Sequence, residues 1–294
     1  MRMGKLAAYL AAAMAFAPVA AGAQQGRPVR ILFVGNSFTH GAHSAVRNYR
    51  ADTVTDLNRA GYGGVPALFK LFAREAGLDY DVSLETQGGK GLGFHYETRR
   101  PQIDRAWDVV MLQDLSELDR DNPGDPAQLV RYSGLLASMF HARNPAVKVN
   151  LTATWSRADL TYKPKGHWYG KPIGAMAADV RAAADLARTR SHDIAQVVPV
   201  GEAWTRAIDE KVADPNPYDG ISFGQVDLWT YDQYHGSIYG YYLEALVIFG
   251  TVTGRDPRAL GEKEQAADEL GLSPAEAVAL QRVAYEQLEA EKKG

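Results

Sequence analysis

Val29-Arg30-Ile31-Leu32-Phe33-Val34-Gly35-Asn36-Ser37-Phe38-Thr39-His40 is the stretch from which the rest of the chain can be read. Its Val, Ile, Leu and Phe residues have the composition and length of a buried strand, and the residues after Val34 mark a tight turn. Gly35 permits the backbone to reverse, which leaves Ser37 at the carboxyl end of a central strand. Ligands bind at that edge in open α/β sheets. A helical segment after the serine would add N-terminal amides that suit a developing anion. Ser37 is therefore a candidate nucleophile. The competing reading is that Asn36 and Ser37 only shape a turn and cap the next helix.

Upstream of this stretch the sequence reads as a processing signal. Arg2 and Lys5 are followed by an apolar run over 6–17 and by the small-residue cleavage site Ala21-Gly22-Ala23. A signal peptide over 1–23 is expected, with one mature domain over 24–294 and an exported location, periplasmic or secreted. The apolar run is too short for a bilayer span, so no stable membrane insertion is expected. The chain has no cysteine, which excludes a lipoprotein anchor, disulfides, thiol catalysis and Cys-based metal sites. Its formal charge of −3 becomes more negative once Arg2 and Lys5 are removed. With no long basic run left, nucleic acid and anionic membrane surfaces are not expected partners.

Downstream, strand signals at 81–86, 107–114, 147–153 and 196–200 alternate with helix signals at 66–76, 126–142, 176–188, 202–212 and 238–252. Pro199 suggests an edge strand or a strand end. A last helix opens at the capping box Ser273-Pro274-Ala275-Glu276. Residues 40–60 resist assignment, and 157–172 and 214–230 read as irregular. About five strands interleaved with helices predict an α/β fold, a three-layer α/β/α sandwich with a mainly parallel sheet.

Two loops need a reading of their own. Residues 87–93, rich in glycine, follow the second strand and either bring amides to a ligand or merely connect. They match neither a P-loop nor a dinucleotide fingerprint. Residues 119–125 look like the start of a calcium loop, but Val130 stands where the bidentate glutamate belongs, so a polar turn is expected.

A serine needs a base to remove its proton, and the base needs an orienting partner. Among seven histidines, His235 has Asp232 three residues earlier, an offset that puts both side chains on one side of a turn. The plain alternative is a helix start with the aspartate as its cap. The string Gly220-Ile221-Ser222-Phe223-Gly224 matches a nucleophile elbow but lacks the strand before it and the helix after it. No metalloprotease motif is present, and His40 with His43 reads as a polar surface pair. No metal and no organic cofactor are expected.

Gly35-Asn36-Ser37-Phe38-Thr39, a glycine after the second strand, Trp107-Asp108-Val109-Val110-Met111-Leu112-Gln113 and Asp232-x-x-His235 before Gly240-Tyr241-Tyr242-Leu243 together resemble the SGNH, or GDSL-type, hydrolase superfamily. The resemblance spans roughly residues 29 to 254. It implies the flavodoxin-like SGNH hydrolase fold, Ser37 as nucleophile, His235 as base and Asp232 as its orienter. It also implies an oxyanion hole from the amides of Ser37 and Gly89, with Gly88 as neighbouring candidate, and a side-chain amide after the third strand. Asn36 stands where that superfamily usually has aspartate, a change that bears on turn geometry. The usual Gly-x-Asn-Asp block is absent, and Gln113 is the amide placed to substitute.

The expected activity is that of an exported serine esterase on small acyl esters, with a small molecule or glycan ester as substrate. Trp155, Trp168, Tyr169 and Trp229 fall in loops near strand ends and suggest sugar stacking, hence carbohydrate O-acetyl groups. A lipase or thioesterase on longer chains is the nearest rival. A non-catalytic glycan- or lipid-binding protein is the rival from another class, supported by the missing asparagine block.

Overall fold

The opening apolar run forms β1 (Val29–Gly35), with Ile31 to Val34 inaccessible to solvent on both faces of a sheet. The structure, a computed structural model, describes residues 27–293; the expected signal segment 1–23 lies outside them. Five further strands join β1: β2 (Thr55–Asp56), β3 (Tyr80–Thr86), β4 (Val109–Leu112), β5 (Lys148–Ala153) and β6 (Ile194–Pro199). Their order is β2-β3-β1-β4-β5-β6 and every pairing is parallel. Six strands therefore stand where the sequence suggested about five. The extra one is a two-residue edge strand in the polar 40–60 segment, too short to leave a periodic signal. β6 is the opposite edge, and Pro199 is its last residue, as its missing donor requires.

Ten helices are described: α1 (Gly64–Glu75), α2 (Leu92–Thr98), α3 (Arg100–Ile103), α4 (Ala127–Arg143), α5 (Ala158–Tyr162), α6 (Ala175–Arg190), α7 (Val200–Asp209), α8 (Ile238–Thr253), α9 (Gln265–Leu270) and α10 (Pro274–Glu291). Alternation along β1 sorts them into two layers, because successive side chains point to opposite faces. Ile31 and Phe33 pack with α1, α7, α8 and α10, whereas Leu32 and Val34 pack with α2, α4 and α6. The Ser273 capping box opens α10 as expected, with Pro274 in its first turn. α8 is buried over most of its length, and no described helix is long and apolar enough to cross a membrane.

The chain crosses from β1 to β3 on one side and later to β4 on the other, so β1 is the point where strand order reverses. Such a point leaves a crevice at the carboxyl ends of the strands. Register fixes what meets there: Gly35 lies opposite Thr86, and Gln87 N–H donates to Gly35 O at 3.1 Å. The glycine-rich loop after β3 thus runs beside the turn that carries Ser37.

Candidate active site

Ser37 sits just beyond β1 in a wound turn, not at the start of a regular helix as the sequence suggested. His40 N–H reaches Asn36 O at 3.1 Å, and Ala42 N–H reaches Ser37 O at 2.9 Å. The first regular turn after it is a 3-10 helix over Ala45–Asn48 capped by Ser44. Asn36 ties this turn to both neighbouring strands. Its Nδ2 donates to Lys90 O at 3.1 Å and Asp114 O at 3.2 Å, while its Oδ1 accepts from Phe38 N–H. Its role is geometric.

The three side chains expected to cooperate do converge. Ser37 Oγ lies 2.9 Å from His235 Nε2, and His235 Nδ1 lies 2.6 Å from Asp232 Oδ2. Serine and histidine are buried, 8% and 5% exposed, although 198 positions separate them. Asp232 also caps its own loop: its Oδ1 accepts from Tyr234 N–H at 3.0 Å and His235 N–H at 2.9 Å. Burial raises the Asp232 carboxyl, but the bonds from the His235 side chain, His235 N–H and Tyr234 N–H outweigh it and hold the group at about 2. An ionised carboxylate only accepts, so the proton between the two belongs to Nδ1, and Nε2 is left to accept from the serine hydroxyl. The Asp232 loop precedes α8, whose own cap is Ser237.

Gln113, the side-chain amide expected in the oxyanion hole, braces the turn that carries Ser37. Its Oε1 accepts from Asn36 N–H at 3.1 Å and Thr39 Oγ1 at 3.0 Å, and its Nε2 donates to Asp114 O. Asn36 N–H can only donate, which fixes the oxygen end of the amide. The residue is 3% exposed, and these bonds hold the turn that carries Ser37. The amides of Ser37, Gly88 and Gly89, by contrast, donate to no other group among the described residues. Gly89 takes φ +68, which turns the loop, and Arg120 Nη2 holds its carbonyl at 2.7 Å. The loop is pinned on both sides: Glu85 pairs with His95 in the core, and Asp114 Oδ1 accepts from Leu92 N–H at 2.9 Å.

Three of the four aromatics assigned to sugar stacking are interior. Trp155 and Trp168 are 0% exposed and Trp229 is 2% exposed, while Tyr169 alone is accessible. Phe38, next to Ser37, stacks on Trp155 at 4.1 Å, and Trp155 stacks on Trp204 at 4.4 Å. Trp229 meets Trp204 edge-on. These rings form a rigid floor under the site, because aromatic pairs add directional packing to their large burial. Ser222 lies in an exposed loop away from this floor, its N–H bonded to Asp214.

Four neighbours had no place at the site in the sequence reading, in which His43 was only half of a polar surface pair. Tyr241 places its hydroxyl 3.2 Å from Ala42 O and 3.4 Å from Ser37 O, under the turn. Tyr234 packs on the His235 ring at 4.0 Å and carries the Arg157 guanidinium at 3.5 Å on its face. His43 and Tyr231 flank the triad on its solvent side, with His43 Nε2 3.9 Å from Asp232 Oδ2. Only the position of Tyr241 six residues after His235 carried any sequence signal. The rest depend on how distant loops fold over one another.

No protein-family model matches the chain, and no curated protein does. Solved structures do. The chain is similar to a DUF4886 family protein from Bacteroides uniformis, with a TM-score of 0.59 and 16% identity over 89% of this chain and 95% of that one. It is also similar to a protein from Slackia heliotrinireducens assigned as an SGNH hydrolase, with a TM-score of 0.51 and 19% identity over 76% and 99% of the two chains. A protein from Parabacteroides merdae assigned as a GDSL-like lipase gives 0.53 and 18%, over 77% and 95%. What these likenesses show is the fold, which in this chain is one parallel six-stranded sheet between helical layers.

Proposed function

We propose that the chain is an exported serine ester hydrolase of the SGNH type, acting on small acyl esters through an acyl-enzyme. The observation that carries the reading is the unbroken relay Ser37 Oγ, His235 Nε2, His235 Nδ1, Asp232 Oδ2 at 2.9 and 2.6 Å. Ser37 attacks the ester carbonyl while His235 takes its proton, and Asp232 stabilises the imidazolium that results. The unengaged amides of Ser37 and of Gly88 or Gly89 receive the tetrahedral oxyanion. His235 then returns the proton to the leaving alcohol, and water repeats the cycle to free the acid. Export rests on the signal pattern of residues 1–23. A carbohydrate alcohol is supported only by exposed Tyr169 and by Tyr231, 73% exposed beside the triad, now that the tryptophans are interior.

The test is labelling by a fluorophosphonate probe together with hydrolysis of p-nitrophenyl esters of increasing chain length. The wild type is expected to label and to favour the shortest esters, and Ser37→Ala to do neither. A folded wild type that never labels would support the binding-protein reading instead. A preference for long chains would replace the small-ester assignment.

A further inference from the structure

His43 stands beside the triad with no task in the reaction above. Its ring centroid is 4.6 Å from that of His235, and its Nε2 is 3.9 Å from Asp232 Oδ2. One donor atom from each of His43, Asp232 and His235 falls within 4.8 Å of the other two. Tyr231 fixes the ring from behind, its phenol oxygen 2.6 Å from His43 Nδ1. In the tautomer that keeps its proton on Nδ1, facing that oxygen, Nε2 has a lone pair for an ion held between it and Asp232. Imidazoles that bind metals are supported in this way. The backbone is committed too: His43 holds φ 61, and its carbonyl accepts from Thr230 Oγ1 at 3.0 Å, in the loop that carries Tyr231 and Asp232. The His43 and Asp232 side chains are 43% and 24% exposed, which leaves an approach for an ion and its water.

We propose that His43, Asp232 and His235 bind a divalent ion of the zinc type, and that its arrival switches the triad off. Only the second half rests on the ester hydrolase reading. Two imidazole nitrogens and one carboxylate oxygen, with water as fourth ligand, are a donor set zinc accepts. Bonds of about 2.0–2.1 Å in a tetrahedron put ligand atoms roughly 3.3 Å apart. The 3.9 Å gap therefore closes slightly, and the 2.6 Å contact opens to admit the ion. As His235 Nδ1 gains the metal, its proton passes through solvent to Nε2, so the ring stays neutral, and Asp232 becomes a ligand of the ion. Nε2–H then has no lone pair to take the proton that Ser37 presents, so acylation stops. Magnesium and calcium prefer all-oxygen sites and should leave the enzyme running.

Isothermal titration of zinc chloride into the Ser37→Ala chain reads binding without catalysis. One ion per chain is expected. Adding His43→Asn, chosen because asparagine tolerates the left-handed backbone, should weaken binding at least tenfold, and Tyr231→Phe about tenfold. In parallel, zinc should suppress p-nitrophenyl acetate hydrolysis by the wild type, chelation should restore it and magnesium should have no effect. The His43→Asn enzyme, compared with its own metal-free rate, should need at least tenfold more zinc. Absence of stoichiometric binding, or equal binding with and without His43, overturns the site. Equal zinc sensitivity of the two active chains overturns the switch. A wild type that hydrolyses no ester defeats the esterase reading, and the titration still decides this one.

Discussion

Asp232 serves two ends with two oxygens, one closing its loop and the other holding the imidazole. The Asp232→Asn enzyme keeps the loop acceptor but offers the imidazole no ionised partner, so kcat should fall about a thousandfold or more while the fold survives. Because the carboxyl is held at about 2, it stays ionised through the acid range in which activity can be followed. Asp232 should therefore add no break of its own to log kcat/KM down to pH 4; a break there that Asp232→Asn removes would mean that the carboxyl takes up a proton in that range. Gln113 gives a second residue-scale test. Gln113→Leu orphans Asn36 N–H and the Thr39 hydroxyl, at roughly 1–3 kcal/mol for each buried group left unsatisfied. Urea unfolding should show that loss. A variant of full stability with kcat alone depressed would restore Gln113 to the oxyanion hole.

At the scale of elements, the turn after β1 is held by contacts that leave Gly35 no room. A Cβ there would collide with Thr39 Oγ1 and come within 2.8 Å of Gln113 Oε1. Gly35→Ala should lower stability by about 1–3 kcal/mol, as overpacking a tight site does, and should cut activity by shifting Ser37. Thermal unfolding and fluorophosphonate labelling read the two effects separately; an alanine enzyme of normal stability and rate would show that the turn gives way easily. The elements that the sequence announced are the long ones. Apolar runs such as 29–34 and 238–252 carry their period in their own residues, whereas β2 and the shorter helices α2, α3, α5 and α9 are stabilised by neighbours and leave little local trace.

Across the whole molecule, Asp114 links the site to the pH dependence of folding. It lies 5% exposed behind the glycine loop, and burial pushes its carboxyl up to about 6 despite the opposing bonds from Leu92 and Leu115 N–H. A raised acid favours folding below its unfolded value of 3.8 and loses that contribution as pH climbs through about 6. Asp114→Asn keeps an acceptor for both amides and does not titrate. Its stability relative to the wild type should therefore fall by roughly 2 kcal/mol between pH 7.5 and pH 4, measured by urea unfolding at each pH. A constant difference would refute the raised carboxyl. The same division between local and distant causes runs through the molecule. Composition and periodicity along the chain determined the alternating α/β order, the central strand, the serine after it and the Asp-x-x-His before a core helix, because each is written within a dozen neighbouring residues. Only the tertiary structure decided that Gln113 braces the turn, that the tryptophans are floor and not surface, and that His43 stands against Asp232. Those outcomes depend on register and packing between segments far apart in sequence, and no local pattern encodes which partner a buried polar group or ring will find.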